Sequence, residues 1–143
     1  MMYNTVLLPV DLNEASSWEK ALPAALELCR AQGARLHVMT VVPDFGMAIV
    51  GSFFPQGYEK QALAEADKAL HEFVAANVPG DLDVAHDIGH GAVYEEIIAA
   101  AKRVGADLIV MAAHRPGRAD YLLGPNAARV VRHATCSVLV VRG

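Results

Sequence analysis

The sequence predicts an α/β fold, an open doubly wound parallel sheet of five strands in the order 3-2-1-4-5 with helices on both faces. Short, uninterrupted apolar runs are typical of strands that are buried on both faces. Segments with helical periodicity separate these runs, and such alternation favours parallel strands joined by right-handed crossovers. The chain has 143 residues, of which 54% are hydrophobic, which predicts a single domain over residues 1–143.

Five runs are the candidate strands. Four of them are almost wholly apolar, and the third along the chain is a weaker run in which apolar and polar residues alternate. The predicted strands cover residues 5–10, 36–42, 82–88, 108–111 and 137–141.

Four segments carry helical periodicity. The first, over residues 18–32, ends at Gly33, and Pro23 within it predicts a kink or a late start, since proline lacks an N–H donor. The second, over residues 57–77, places Leu63, Ala66, Leu70 and Phe73 on one apolar face. The third runs over residues 92–104 to Gly105, and the fourth follows Gly124 and ends with Arg132 and His133, cations that suit the helix dipole.

Composition and charge exclude several classes of protein. The formal net charge is −4 and no basic stripe occurs, so nucleic acid is not an expected partner. The first residues lack the pattern of a signal peptide, and no apolar run reaches the roughly 20 residues that span a membrane, so neither a membrane partner nor export is expected. Cys29 and Cys136 lie far apart and are predicted to be free thiols. We therefore expect a cytoplasmic protein.

The connection over residues 43–57 is unusually apolar, with three phenylalanines among its residues. Connections of this length commonly serve as lids or binding loops. The segment either folds onto the core of its own domain or forms a ligand lid or subunit contact.

Polar residues follow the first and fourth predicted strands. In doubly wound sheets ligands bind beyond the carboxyl ends of the strands where the strand order reverses, which here lies between strands 1 and 4. Asp11 follows strand 1, and the His114 and Arg115 loop follows strand 4, before the helix start after Gly124. A helix N-terminus offers unpaired N–H groups and a partial positive charge, both of which attract phosphate. The sequence therefore predicts nucleotide binding.

Five stretches carry a family resemblance. They are Leu7-Leu8-Pro9-Val10-Asp11, Gly105-Ala106-Asp107-Leu108-Ile109-Val110-Met111, His114-Arg115-Pro116, Tyr121-Leu122-Leu123-Gly124 and the run over residues 130–142. Through them the chain resembles the universal stress protein family, in its F/G-type branch, over nearly its whole length. The resemblance implies an adenine-nucleotide binding fold that is often dimeric and whose members divide into ATP binders and non-binders.

The ATP-binding members resemble one another in a motif of glycine, two residues, glycine, nine residues, then glycine and serine or threonine. Ala112 stands at the first glycine and Arg115 at the second, and the shorter loop between them and Gly124 resembles the F/G branch. Gly124 is retained, but Pro125 replaces the hydroxyl residue and removes two donors that could reach a phosphate. Losing two hydrogen bonds predicts roughly ten- to a hundredfold weaker affinity, which weakens binding without forbidding it.

The resemblance also implies roles for individual residues. Asp11 would hydrogen-bond a ribose hydroxyl, although a turn or cap role before the first helix explains it equally well. The backbone of Val41 would belong to an adenine slot, although apolar residues of this kind are usually part of the core. His114 and Arg115 would contact phosphate. The predicted nucleotide-binding residues are Pro9, Val10, Asp11, Val41, Met111, Ala112, His114, Arg115, Gly117, Gly124, Pro125, Asn126 and Ala127.

The sequence contains few motifs that would indicate catalysis or metal binding. No phosphate-binding GxxxxGK[ST] loop, HExxH or GxSxG motif occurs, and no general base or nucleophile stands out. His86 and His90 are four apart, but Gly89 between them argues against the helix that would make them adjacent metal ligands. Gly89-His90-Gly91 is predicted to turn the chain into the third helix.

The leading hypothesis is a cytoplasmic stress-response protein that binds ATP or a related adenine nucleotide such as ADP or AMP, with Mg²⁺ held by the phosphates alone. We expect a homodimer through the C-terminal strand at residues 137–141, because pairing with its twin would satisfy that open sheet edge. Two alternatives remain. The chain is a protein-interaction module whose phosphate site Pro125 has closed, or it is a slow ATP hydrolase.

Overall fold

The computed structural model describes residues 2–42, 57–113 and 126–142. Five parallel strands form one sheet in the order β3-β2-β1-β4-β5, so the predicted fold class and strand order are confirmed. The strands are β1 (Thr5–Pro9), β2 (Arg35–Val42), β3 (Val84–His90), β4 (Leu108–Ala112) and β5 (Ser137–Val141).

Helices cover both faces of the sheet. Within the described residues they are α1 (Ala21–Gln32), α2 (Tyr58–Asn77), α3 (Val93–Val104) and α4 (Ala127–His133), with a short 3-10 helix at Ala15–Ser17. Side chains of α1 and α2 pack on one face, and those of α3 and α4 pack on the other. None of these helices combines the length and the apolar character that crossing a bilayer requires.

The strand residues alternate between two separate cores. Val6 and Leu8 of β1 pack under α1 and α2, while Leu7 packs under α3 and α4. Successive side chains of a strand point to opposite faces, so a strand covered on both sides needs apolar residues at every position. This requirement explains the uninterrupted apolar runs of β1 and β4.

The N-terminal helix starts late, which is one of the two outcomes that Pro23 predicts. α1 begins at Ala21, so Pro23 lies in its first turn, where backbone N–H groups have no intrahelical acceptor to lose. Trp18, which the periodicity places in the helix, precedes it and packs edge-to-face on Phe73 of α2 with ring centroids 5.0 Å apart. Gly33 and Gly105 end α1 and α3 in the left-handed conformation, as predicted.

The third strand is shifted toward the C-terminus. It begins at Val84 and runs through His90, so Gly89 and His90 belong to β3, and the turn into α3 is made at Gly91 with φ of 136°. Continued pairing with β2 explains the extension, since Val41 and Val42 lie opposite Gly89 and His90. The predicted turn at Gly89-His90-Gly91 is therefore wrong for its first two residues.

Two predicted segments lie outside the described residues. They are the apolar connection, apart from Gly57, and the loop that contains His114 and Arg115. The fourth predicted helix starts at Ala127 in the structure, three residues beyond Gly124.

Candidate functional site

A cavity of about 320 Å³ opens at the carboxyl edge of the sheet. It lies between the ends of β1 and β2 and the facing side of α2, next to the predicted switch point. Parallel strands place their carboxyl ends on one edge, so the segments that follow them meet there. The lining residues are Asp11, Leu12, Asn13, Thr40, Val41, Val42, Ala62, Glu65, Ala66 and Ala69.

Asp11 is fixed at this edge by a tight set of hydrogen bonds. Its backbone N–H donates to Ser17 Oγ over 2.9 Å, and the Ser17 hydroxyl donates to the Asp11 carbonyl oxygen over 3.0 Å. The Asn13 N–H donates to Asp11 Oδ1 over 3.0 Å, which closes a turn after β1. Asp11 is only 4% exposed, yet it lines the cavity. Asp11 therefore both closes the turn after β1 and lines the cavity.

The end of β2 forms a second wall. Val41 packs its side chain with the core under α3 and α4, so its main chain is what the cavity meets. Thr40 is 5% exposed and brings a hydroxyl group to the same wall. A main chain at the end of a strand, together with a buried hydroxyl, can read the polar edge of a planar ring.

The third wall belongs to α2, which the sequence did not assign to the site. Ala62, Ala66 and Ala69 repeat at helical spacing, and their small side chains leave the space that the cavity occupies. Glu65 stands at the exposed rim, where its Oε1 accepts a hydrogen bond from Gln61 Nε2 over 3.3 Å. In the sequence, small residues on the apolar side of α2 do not show whether they meet core or cavity, so periodicity alone does not predict this wall.

The charges of the cavity are acidic. Among the described residues that line it, Asp11 and Glu65 are the ionisable ones, and none is a lysine, arginine or histidine. Carboxylates accept hydrogen bonds from hydroxyl and amino groups but repel phosphate. This cavity suits the uncharged, donor-bearing part of a ligand better than an anionic part.

The predicted site residues fall into four groups. Asp11 and Val41 line the cavity. The buried residues Pro9, Val10, Met111 and Ala112 sit at the strand ends, where Val10 and Met111 pack into opposite cores at 1% and 0% exposure. Asn126 precedes α4 and Ala127 begins it, 6% exposed. The other predicted residues, His114, Arg115, Gly117, Gly124 and Pro125, lie outside the described residues.

Contacts at the end of β3 connect the elements around the cavity. His90 Nδ1 lies 3.1 Å from Glu59 Oε1 in the first turn of α2, and the His90 N–H donates to Glu96 Oε1 of α3 over 2.9 Å. The Gly91 N–H donates to the Val42 carbonyl oxygen over 3.0 Å. Both helices that flank β3 are therefore attached to its carboxyl end.

The thiols offer no activated nucleophile. Both cysteines are free, as predicted. Burial raises the pKa of the Cys29 thiol to about 11, and burial also raises the pKa of Cys136, so both thiols are protonated at neutral pH. Across residues 2–42, 57–113 and 126–142, no three histidine, cysteine, aspartate or glutamate side chains are grouped so that they could hold a metal ion.

Comparisons with known proteins agree with this architecture. The model of the universal stress protein family matches residues 2–142. Universal stress protein G of Escherichia coli O157:H7 is 31% identical over 143 residues, which cover 99% of this chain and all of that protein. The solved structure of hypothetical protein MJ0577 has a TM-score of 0.78 at 23% identity and covers 100% of this chain and 98% of its own. A universal stress protein solved in complex with cAMP has a TM-score of 0.61 at 27% identity and covers 99% and 98%.

Proposed function

The chain belongs to the universal stress protein family, and from that premise we propose that it binds ATP or a related adenine nucleotide in the cavity at the carboxyl edge of β1 and β2. We further propose that the protein is a single cytoplasmic domain that acts as a dimeric, nucleotide-dependent regulator. One observation carries the proposal: Asp11, the Val41 main chain and the alanine face of α2 surround one cavity where the family resemblance expects the base and ribose.

The base and ribose would occupy the cavity. The small side chains of Ala62, Ala66 and Ala69 leave a flat apolar wall for a ring, and the Val41 main chain would read the edge of the base. The Asp11 carboxylate would accept a hydrogen bond from a ribose hydroxyl.

The phosphates would lie outside the cavity. Repulsion from Asp11 and Glu65 directs them outward, toward the start of α4 at Asn126 and Ala127. His114 and Arg115 would contact them there, and a Mg²⁺ ion would be held by the phosphates alone. The relative in complex with cAMP supports a nucleotide of this class, since it is 27% identical to the chain over 99% of its length.

The dimer would form on β5. This strand is at one edge of the sheet, and Leu139 on it is 39% exposed while Val131 on α4 is 53% exposed. Two copies pairing these strands about a two-fold axis would cover both apolar side chains and the unpaired backbone groups of the edge.

Isothermal titration calorimetry with ATP, ADP and AMP tests the function. A variant that fills the cavity tests whether the nucleotide binds there. Ala66→Leu fills the cavity, and Ala64→Leu places the same leucine on the exposed side of α2 as a matched control. We expect binding to the wild type and to Ala64→Leu, and at least about tenfold weaker binding to Ala66→Leu, because a lost fit of about 1.4 kcal/mol corresponds to that factor. Absence of binding to folded wild type at high nucleotide concentration would refute the proposal.

A further inference from the structure

Two histidines stack between α2 and the edge strand β3. The rings of His71 on α2 and His86 on β3 have centroids 4.1 Å apart and planes inclined by 22°. His71 Nδ1 lies 2.8 Å from the Asp67 carbonyl oxygen and 3.5 Å from Asp67 Oδ1, one turn earlier in the helix. This pair is a direct side-chain contact between the helix and the strand, and its charge depends on pH.

The charge state decides whether the contact attracts or repels. Two neutral rings, or one neutral ring and one cation, stack favourably, whereas two cations at this separation repel each other. The charged group that faces the pair from α2 is Asp67, which offsets one positive charge but not two. From β2 the same face of the sheet presents Leu36 and Val38, which are uncharged.

The same helix forms one wall of the cavity. Ala66 and Ala69 line the cavity, and His71 lies two residues after Ala69 and about one and a half turns after Ala66. This helix carries both His71 and the alanines of the cavity wall, so a shift of its middle relative to β3 would displace this wall. At the other end of the helix, Glu59 contacts His90 over 3.1 Å, which attaches the first turn of α2 to the end of β3.

We propose that the His71–His86 stack is a pH-sensitive clamp that adds to the core packing of Leu70 and Val74 in holding α2 against β3, and that loosens the middle of α2 when acid adds a second positive charge to the pair, which weakens ligand binding in the cavity. The effect on a ligand rests on the proposed nucleotide-binding function. The release of α2 does not, because it is a property of the free protein.

The environment of His86 keeps the clamp closed at neutral pH. Burial lowers the pKa of His86, the charge of nearby His71 lowers it further, and Asp67 opposes these effects. His86 is therefore protonated only below the ordinary imidazole pKa of 6.5. The clamp therefore opens only when the pH falls below that value.

Hydrogen exchange in the free protein tests the release directly. Amide protection of α2 is compared between wild type and His71→Gln at each pH from about 7.5 to 5.5, so that the intrinsic pH dependence of exchange cancels. The His71 side chain is half exposed and lies outside the hydrophobic core, so its replacement leaves the core unchanged. We expect protection in the middle of α2 to fall on acidification in the wild type relative to His71→Gln. Protection that falls in parallel in the two proteins would overturn the clamp.

Two further variants make the result specific. His86→Phe keeps an aromatic ring in the stack without a titrating group, and it should abolish the acid response as His71→Gln does. His133→Gln removes a histidine from the exposed end of α4, away from α2, and should respond as the wild type does. An acid response that persists in His86→Phe would also overturn the proposal.

The coupling to the cavity is measured with AMP. We expect the affinity of the wild type to fall by about fivefold more than that of His71→Gln between pH 7.5 and 5.5, at the low end of typical coupling between sites. If AMP binds both proteins with the same pH dependence, the link between clamp and cavity is refuted. If AMP binds neither protein at any pH while α2 still responds to acid, the proposed function fails and the clamp stands.

Discussion

At the scale of single residues, Asp11 joins local structure to the site. Its Oδ1 closes the turn after β1 with the Asn13 N–H, and its backbone is bonded to Ser17, so the chain delivers a nearly buried carboxylate to the cavity. Buried charges are tolerated when they are hydrogen-bonded. The two functions of the carboxyl group can be separated, because an amide retains the acceptor oxygen and loses the charge.

Asp11→Asn and Asp11→Ala separate these functions. We expect Asp11→Asn to keep the turn and the stability but to lose at least about tenfold in nucleotide affinity, since hydrogen bonds to charged groups contribute about 1.5–3 kcal/mol. Asp11→Ala should also lower the free energy of unfolding by about 1 kcal/mol, because the Asn13 N–H loses its acceptor. Urea unfolding and calorimetric titration measure the two effects, and equal affinities of Asp11→Asn and wild type would contradict a ribose contact.

At the scale of elements, the close approach of α3 to β3 depends on Gly89. A Cβ atom built at this position would lie 3.0 Å from Glu96 Cβ on the helix and 3.3 Å from Met39 Cε on β2. A side chain at this position would therefore crowd the helix where Glu96 accepts the His90 N–H, so glycine favours the close packing of α3 on the carboxyl end of β3.

Gly89→Ala tests this packing, and Gly80→Ala is its control. We expect Gly89→Ala to lower the free energy of unfolding by about 1–3 kcal/mol, because the new methyl group overpacks the contact between strand and helix. A Cβ at the exposed Gly80 would meet nothing within 4 Å, so Gly80→Ala should change stability by no more than about 0.5 kcal/mol. Equal midpoints of the two variants in urea would show that the approach of α3 is not limited by Gly89.

How well each element could be predicted depends on the physical property that its sequence pattern reflects. The apolar runs and the glycine stops predict strands and helix ends well, because burial on both faces and the left-handed conformation have direct sequence signatures. The alanine wall of α2 has no such signature, since periodicity places Ala66 beside Leu63 and Leu70 on the apolar face without showing whether it meets core or cavity. The extension of β3 to His90 depends on pairing with β2, which local sequence does not encode.

At the scale of the whole molecule, strand order could be predicted because alternating elements restrict the topology. The position of the cavity could be predicted only in part: the rule for doubly wound sheets indicates the correct edge, but the described cavity lies on the side of β1 toward β2 and α2. That rule does not show on which face of the sheet the cavity opens. Val10 and Met111 were expected to line the site, but alternation along each strand buries their side chains in opposite cores.

Acid should destabilise the whole fold, in part through His37. Burial and then the charge of Arg35 lower the pKa of His37, against opposing effects of Asp87 and Asp83, and its Nδ1 is buried with no hydrogen-bond partner among the described residues. The unfolded chain, with the ordinary pKa of 6.5, therefore takes up a proton before the folded chain does, so stability is lost as pH falls below that value. The urea midpoint should fall from pH 7 toward pH 5, and by less in His37→Leu than in His133→Gln. Identical acid profiles of those two variants would exclude a contribution from His37.

Photoaffinity labelling with an azido-adenine analogue of ATP is the most direct test of the central claim. The account predicts labels, competed by unmodified ATP, on peptides that contain residues 11–13, 40–42 or 62–69, and their loss in Ala66→Leu but not in Ala64→Leu. Competed labels confined to other parts of the chain would contradict it, because the adenine would then lie outside the cavity between β1, β2 and α2.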